Sequence, residues 1–237
     1  MRKLGIYGFA LAFCAVLFAV CAPLAALWPT LAWRNRVSLV AGRWWARACL
    51  RVAGIRVVLE EGREHLLHAP AIFTFNHSNM LDFFVNGVLA RPGWLVFGKR
   101  ELAAVPFVGW AWALGGHPLI KRQDRDHWGR LLARVEGRLA RGWCTIVAPE
   151  GRRSGDGALL PFKKGAFHMA LHTRAPIVPI VLLGVAPLLV RGTPMSGEVR
   201  VRVLPPIDTS GWTLEDLDRQ VERVRGLYLD ALGQARA

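Results

Sequence analysis

The sequence predicts an α/β fold built on a mostly buried sheet. Three observations carry that reading. Strand-like runs recur at Ile55–Glu60, Ala71–Phe75, Trp94–Phe97, Cys144–Ala148, Ile177–Leu183 and Val199–Leu204. Stretches with helical apolar spacing, over 79–90, 124–141, 163–173 and 213–234, alternate with them. The 237 residues suffice for one domain with a full core and a small appendage.

The chain opens on an uncharged run from Leu4 to Trp33, with Arg2 and Lys3 before it and Arg34 and Arg36 after it. A straight spanning helix takes about 20 apolar residues, so this run is long for one span and short for two. Pro23 and Pro29 are expected to interrupt or end a helix. Two arrangements fit. One is a single span with the bulk of the protein in the cytoplasm, the side richer in arginine. The other is a helical hairpin that dips into the bilayer and returns. A cleaved signal peptide fits worse: Ala22-Pro23-Leu24-Ala25 is a poor cleavage region, and basic residues just after it oppose export. Over 36–53, Val37, Val40, Trp44 and Ala48 form one helical stripe, with Arg36, Arg43 and Arg47 beside it. Trp44-Trp45 next to arginines suits the water–lipid boundary; packing on the domain is the other reading. Membrane-embedded and interfacial helices are therefore expected in 1–54, and the rest of the fold in 55–237.

Ile55–Glu60 is rich in β-branched residues, as a strand requires. Ala71–Phe75 is a second strand. The helix over 79–90 has Asn76, Ser78 or Asn79 as possible N-caps. Gly98–Gly116 is punctuated by glycine and proline and reads as irregular or short helical structure. In 124–141, Trp128, Leu131, Leu132, Val135 and Leu139 share one side and arginines take the others. Thr213 and Asp216 have the spacing of a capping box that opens the last helix.

The chain is 53% hydrophobic and carries a net charge of +14. Apolar and basic together point to an anionic membrane surface. Nucleic acid is not expected, since zinc-finger spacing, an aromatic-rich RNA-binding strand and a lysine-rich tail are all missing. Cys14, Cys21, Cys49 and Cys144 form no CxxC pair and read as small apolar side chains. No cluster of ligand residues suggests a metal.

The residues with chemistry follow strands. Ala71–Phe75 runs into Asn76-His77-Ser78-Asn79-Met80-Leu81-Asp82. Five residues on a regular helix turn through about 500°, which would point His77 and Asp82 apart. They meet only if His77 lies in the strand-to-helix turn and Asp82 on the first helical turn. The carboxylate then holds one ring nitrogen and leaves the other free as a base. After Cys144–Ala148 comes Pro149-Glu150-Gly151-Arg152-Arg153-Ser154, a tight turn. Arg153 is a candidate phosphate ligand there, and Glu150 a candidate for holding a hydroxyl or the turn backbone. Lys99 and Arg122 bracket the segment around Pro106 and Gly109 and are further phosphate candidates. Phe162-Lys163-Lys164-Gly165 adds charge. In α/β sheets the site lies beyond the carboxyl ends of the strands, so both motifs fall on one edge, and close together if their strands are neighbours.

In order and spacing these blocks resemble the membrane-associated glycerolipid acyltransferases, the bacterial 1-acylglycerol-3-phosphate acyltransferases in particular. Asn76-His77 with Asp82 is similar to the family's first motif, its serine one place early. Lys99, Glu101, Leu102, Pro106, Gly109 and Arg122 follow the second. Ala148-Pro149-Glu150-Gly151-Arg152-Arg153-Ser154 follows the third, with Ala148 for phenylalanine and Arg152 for threonine. Val178-Pro179-Ile180-Val181 follows the fourth.

The resemblance implies an αβα domain around a mixed sheet, with an amino-terminal membrane-embedded helical element, on the cytoplasmic face of the inner membrane. It implies transfer of a fatty acyl group from acyl-carrier protein or coenzyme A to the hydroxyl of 1-acylglycerol 3-phosphate, giving phosphatidate. His77 and Asp82 would be catalytic. Glu150, Gly151, Arg153, Lys99 and Arg122 would bind substrate. No cofactor beyond the acyl thioester and no metal is expected; partners would be the lysophospholipid, the thioester carrier and anionic membrane lipids. A different acceptor, such as a lyso-ornithine lipid, and a non-catalytic membrane-binding protein are the alternatives.

Overall fold

The computed structural model describes residues 2–28, 30–120 and 125–235. Its centre is a six-stranded mixed sheet: β1 (Ile55–Glu61), β2 (Ala71–Phe75), β3 (Trp94–Val96), β4 (Cys144–Val147), β5 (Ile177–Leu183) and β6 (Gly197–Val203), in the spatial order β1-β6-β5-β2-β4-β3. β5, β2, β4 and β3 run parallel, whereas β6 pairs antiparallel with β5 and parallel with β1. The two strands that lead into the motifs are neighbours, with Ala71 opposite Cys144 and Thr74 opposite Val147.

Helices cover both faces, and the period of two along each strand sorts the core between them. Phe73, Val178, Ile180 and Leu182 point to one side, where they meet α2 (Leu31–Val52) and α3 (Leu81–Leu89) through Leu39, Leu50, Leu81 and Val85. Ile72, Ile177 and Val181 point to the other. There they meet α5 (Arg125–Leu139), α6 (Gly165–Thr173) and α7 (Leu217–Leu232) through Val135, Phe167 and Val224. Leu131, Val135 and Leu139 of α5 are buried, as their spacing requires.

The amino-terminal segment folds as an antiparallel pair, α1 (Arg2–Ala26) against α2. The Trp33 indole donates to the Leu24 carbonyl at 2.8 Å, and the Trp45 indole to the Ala10 carbonyl at 2.6 Å. The Arg2 guanidinium donates to the Ala53 carbonyl and to Ser196 Oγ, so the start of α1 lies beside the end of α2. Thr30 caps α2 by accepting from the Trp33 N–H. Most of the uncharged run forms one helix, α1, and the chain turns back after it into α2. Pro23 does not break α1: it costs the one bond to the Ala19 carbonyl, and the helix ends three residues on. Pro29 lies outside the described residues. α1 has the length and composition of a membrane span. Along α2, Asn35, Leu39, Ala46, Cys49 and Leu50 are buried, while Val40 and Trp44 are 41% and 59% exposed. The buried stripe packs on the domain, and Val40 and Trp44 stand on the exposed one.

Two boundaries move. Gly98–Gly116 resolves into a short strand at Gly98–Lys99, a 3-10 turn at Arg100–Ala104 and α4 (Val108–Leu114). The chain can close there because Gly109 has no side chain: a Cβ would stand 2.6 Å from the carbonyl oxygens of Leu102 and Ala103. Thr213 and Asp216 do form a reciprocal capping box, at 3.1 and 3.3 Å, but α7 starts only at Leu217.

Candidate active site

β2 ends at Phe75, yet pairing with β5 continues for one more residue through a side chain. Asn76 Nδ2 donates to the Leu182 carbonyl at 2.9 Å, and Asn76 Oδ1 accepts from the Leu182 N–H at 2.7 Å. The amide thus imitates a strand peptide and frees the main chain to turn. His77 is the next residue, in that turn, and α3 begins at Leu81. Asp82 therefore sits on the first helical turn. Its Oδ2 is 2.8 Å from His77 Nδ1 and also accepts from the Asn79 N–H at 2.9 Å. Asn79 Oδ1 in turn accepts from the Leu81 N–H, which makes Asn79 the group that closes the helix start. Asp82 is fully buried. A carboxylate on Nδ1 fixes the tautomer with hydrogen on that nitrogen and leaves Nε2 with a lone pair.

The second motif leaves β4 and folds back on the first. The Ser154 N–H donates to the His77 carbonyl and the Gly155 N–H to the Ser78 carbonyl, both at 2.9 Å. From the other side, Glu150 Oε1 accepts from the His77 N–H at 2.5 Å, and Glu150 Oε2 from the Leu160 N–H at 2.9 Å. Both peptide groups flanking the His77 side chain are thus held by the loop that carries the arginines. Glu150 is 2% exposed. Burial pushes its carboxyl up to about 7, helped by nearby Asp82 and opposed by the two N–H donors and by Arg225.

His77 opens onto a cavity of about 880 Å³. Its wall is mostly apolar, with Leu11, Cys14 and Phe18 from α1, Trp45 from α2 and Phe83 from α3. Arg153, Lys163 and Lys99 line it too, and all three are exposed. Among the described residues none of the three has an ion-pair partner. Gly151, at φ +69°, lets the Lys163 stem cross close by: a Cβ there would meet Lys163 Cδ at 2.9 Å. An apolar pocket of this size that His77 and several cations line can hold a lipid whose head bears a phosphate.

The comparisons with known proteins agree with this geometry. A family model described as Acyltransferase matches residues 56–183. The chain is 37% identical over 179 residues to the 1-acyl-sn-glycerol-3-phosphate acyltransferase of Saccharomyces cerevisiae, covering 72% of this chain and 58% of that protein. It is 30% identical over 175 residues to the protein of the same name from Salmonella typhimurium, covering 73% and 71%. The chain belongs to the acyltransferase family. The crystal structure of the 1-acyl-sn-glycerophosphate (LPA) acyltransferase PlsC from Thermotoga maritima superposes over all of this chain and 96% of its own, with a TM-score of 0.82 at 24% identity. That likeness is one of fold, and it extends through the amino-terminal hairpin.

Within this acyltransferase, the structure brings His77, Asp82, Glu150, Gly151, Arg153 and Lys99 to one edge of the sheet. Arg122 lies outside the described residues. Arg153 lines the cavity; Arg152, which stands where the motif has threonine, does not. The Gly151 N–H donates to the Ala148 carbonyl at 3.2 Å and so is not free to meet an oxyanion. Sequence reasoning gave Lys163 charge but no place, named Asn79 only as one of three possible N-caps, and missed Gln234. Gln234 clasps the arginine loop from the carboxyl-terminal end, its Oε1 accepting from the Leu159 N–H and its Nε2 donating to the Gly157 carbonyl, both at 2.9 Å. Nothing local in the sequence marks that contact, which spans some 75 residues.

Proposed function

We propose that this acyltransferase moves a fatty acyl group from a thioester to the sn-2 hydroxyl of 1-acylglycerol 3-phosphate, giving phosphatidate. The observation that supports it best is the pair of half-buried His77 and buried Asp82, 2.8 Å apart, on a large apolar cavity that Arg153, Lys163 and Lys99 also line. His77 Nε2 takes the proton of the acceptor hydroxyl as its oxygen attacks the thioester carbonyl carbon. Asp82 stabilises the imidazolium. The tetrahedral intermediate collapses with loss of the C–S bond, and the thiolate leaves with the proton that the imidazolium returns. The attack is direct, without an acyl-enzyme, and calls for no metal. Arg153, with Lys99, holds the acceptor phosphate. The acyl chains lie in the apolar cavity.

The thioester is carried by acyl-carrier protein or coenzyme A, both anionic and suited to a basic protein. α1 and the exposed Val40–Trp44 stripe of α2 enter the membrane from the cytoplasmic side, and anionic lipids attract the surrounding arginines. Purified protein given radiolabelled acyl thioester and a panel of lysolipids tests the reading. Product from 1-acylglycerol 3-phosphate supports it. Label only on another lysolipid, such as a lyso-ornithine lipid, or only in free fatty acid, overturns the acceptor; no transfer at all returns the chain to a membrane-binding role.

A further inference from the structure

We propose that Glu150 is a positioning residue, holding His77 in register with the arginine-bearing loop, and not a ligand of the acceptor. The inference rests on the acyl-transfer reading and deepens it. Both carboxylate oxygens are already used. Oε1 accepts from the His77 N–H at 2.5 Å and Oε2 from the Leu160 N–H at 2.9 Å. The residue is 2% exposed, and although its neighbours Pro149 and Gly151 line the cavity, Glu150 does not. The remaining lone pairs face the protein interior, so a substrate hydroxyl or phosphate could reach them only by displacing the main chain packed around the carboxylate. A phosphate would also bring negative charge to a buried carboxylate.

The placement assigns a task to the side chain. His77 is fixed at three points: its ring by Asp82, its carbonyl by the Ser154 N–H, and its N–H by Glu150. Two of these come from the loop bearing Arg153, so the distance between base and phosphate site is set by one short segment. Glu150 also pins the far end of that loop at Leu160. Without it, the base and the cation rim are no longer in fixed relation, and a displacement of about 1 Å can cost on the order of 100-fold in rate.

Initial rates of the full-length enzyme in mixed micelles, at varied 1-acylglycerol 3-phosphate, test this for Glu150→Ala and Glu150→Gln. We expect kcat to fall about 100-fold in Glu150→Ala, with acceptor KM changed less than about threefold. Glu150→Gln should lose less, because its carbonyl oxygen still accepts from one of the two N–H groups. If acceptor KM rises by a larger factor than kcat falls, or both variants keep wild-type kinetics, the proposal is overturned. If Glu150→Ala does not fold, Glu150→Gln is judged by the same rule. A second readout needs no turnover. In protein labelled with 15N-histidine, the His77 amide is the signal lost in His77→Ala. In the wild type it should lie downfield, as a donor to a carboxylate, and move upfield in Glu150→Gln. An unmoved amide signal overturns the proposal even if the wild type acylates nothing, whereas that inactivity alone would overturn only the functional reading.

Discussion

The two halves of this site are built in opposite ways. The base side is held from inside: Asp82 and Glu150 are closed off from solvent, Asp82 Oδ2 takes two donors within its own turn, and Glu150 ties the His77 turn to the chain at Leu160. The cation side is exposed: Arg153, Lys163 and Lys99 stand on the cavity rim, with no ion-pair partner among the described residues. Under the proposed mechanism the difference follows from what each half would do. A proton acceptor works only at one place and in one tautomer, so its neighbours are fixed by the fold. A clamp for a phosphate entering from a membrane surface needs charge and reach more than rigidity, and exposed side chains supply both. The buried half should therefore respond to substitution as a unit, and the exposed half as a sum of parts.

The largest effect belongs to the His77–Asp82 pair. His77→Ala should lower kcat by roughly 10³–10⁴ while circular dichroism stays unchanged. Asp82→Asn should lower it by about 10²–10³, since an amide cannot hold the same tautomer and stabilise the imidazolium. The double variant should be no slower than His77→Ala alone. Losses that multiplied would show that the two side chains act separately, and would dissolve the contrast between the halves.

Glu150 extends the comparison to stability. Its carboxyl ionises near 4.5 in the unfolded chain and about 7 when folded. Below the lower value it is protonated in both states and adds no pH dependence. Between them the unfolded chain loses a proton that the folded protein keeps, so the fold weakens as pH rises, and above about 7 the full cost is reached. That cost is roughly 3 kcal/mol. Asp82 facing the group increases it and Arg225 reduces it. Glu150→Gln removes this titration. The Tm of the variant relative to wild type should therefore climb by several degrees between pH 5 and pH 8. A constant difference across that range would show that the carboxylate is not buried as described.

Much of the buried half was legible in the sequence, and for a definite reason. Helical rotation forbids His77 and Asp82 from meeting unless a turn lies between them, and the polar residues at 76–79 supply that turn. Periodicity likewise placed Leu131, Val135 and Leu139 against the sheet. What the sequence did not reveal depends on contacts distant along the chain. The antiparallel placement of β6, the Gln234 clasp and the two donors on Glu150 all join segments that no local pattern connects. The antiparallel pairing of α1 with α2 was not readable, because an uncharged run does not say where the chain turns back. Lys163 was visible as charge, but its place on the rim depends on the bare backbone of Gly151.

The smallest effects test the exposed half. Arg153 is the better phosphate ligand by geometry, since a guanidinium can donate two parallel bonds. A hydrogen bond to a charged group contributes about 1.5–3 kcal/mol when shielded, and solvent on the rim reduces it. Arg153→Ala should therefore raise acceptor KM about tenfold and leave donor KM nearly unchanged. Lys163→Ala should raise acceptor KM only about two- to fivefold, because an ammonium is a point charge on a flexible stem. The two side chains reach the cavity from different segments, so their effects on the double variant should multiply, and both should shrink at high ionic strength, where exposed charges are screened. An acceptor KM that did not move in Arg153→Ala would remove that residue from the site. A double variant no worse than Arg153→Ala would mean that the rim is as tightly coupled as the base, and that the two halves of the site are built alike.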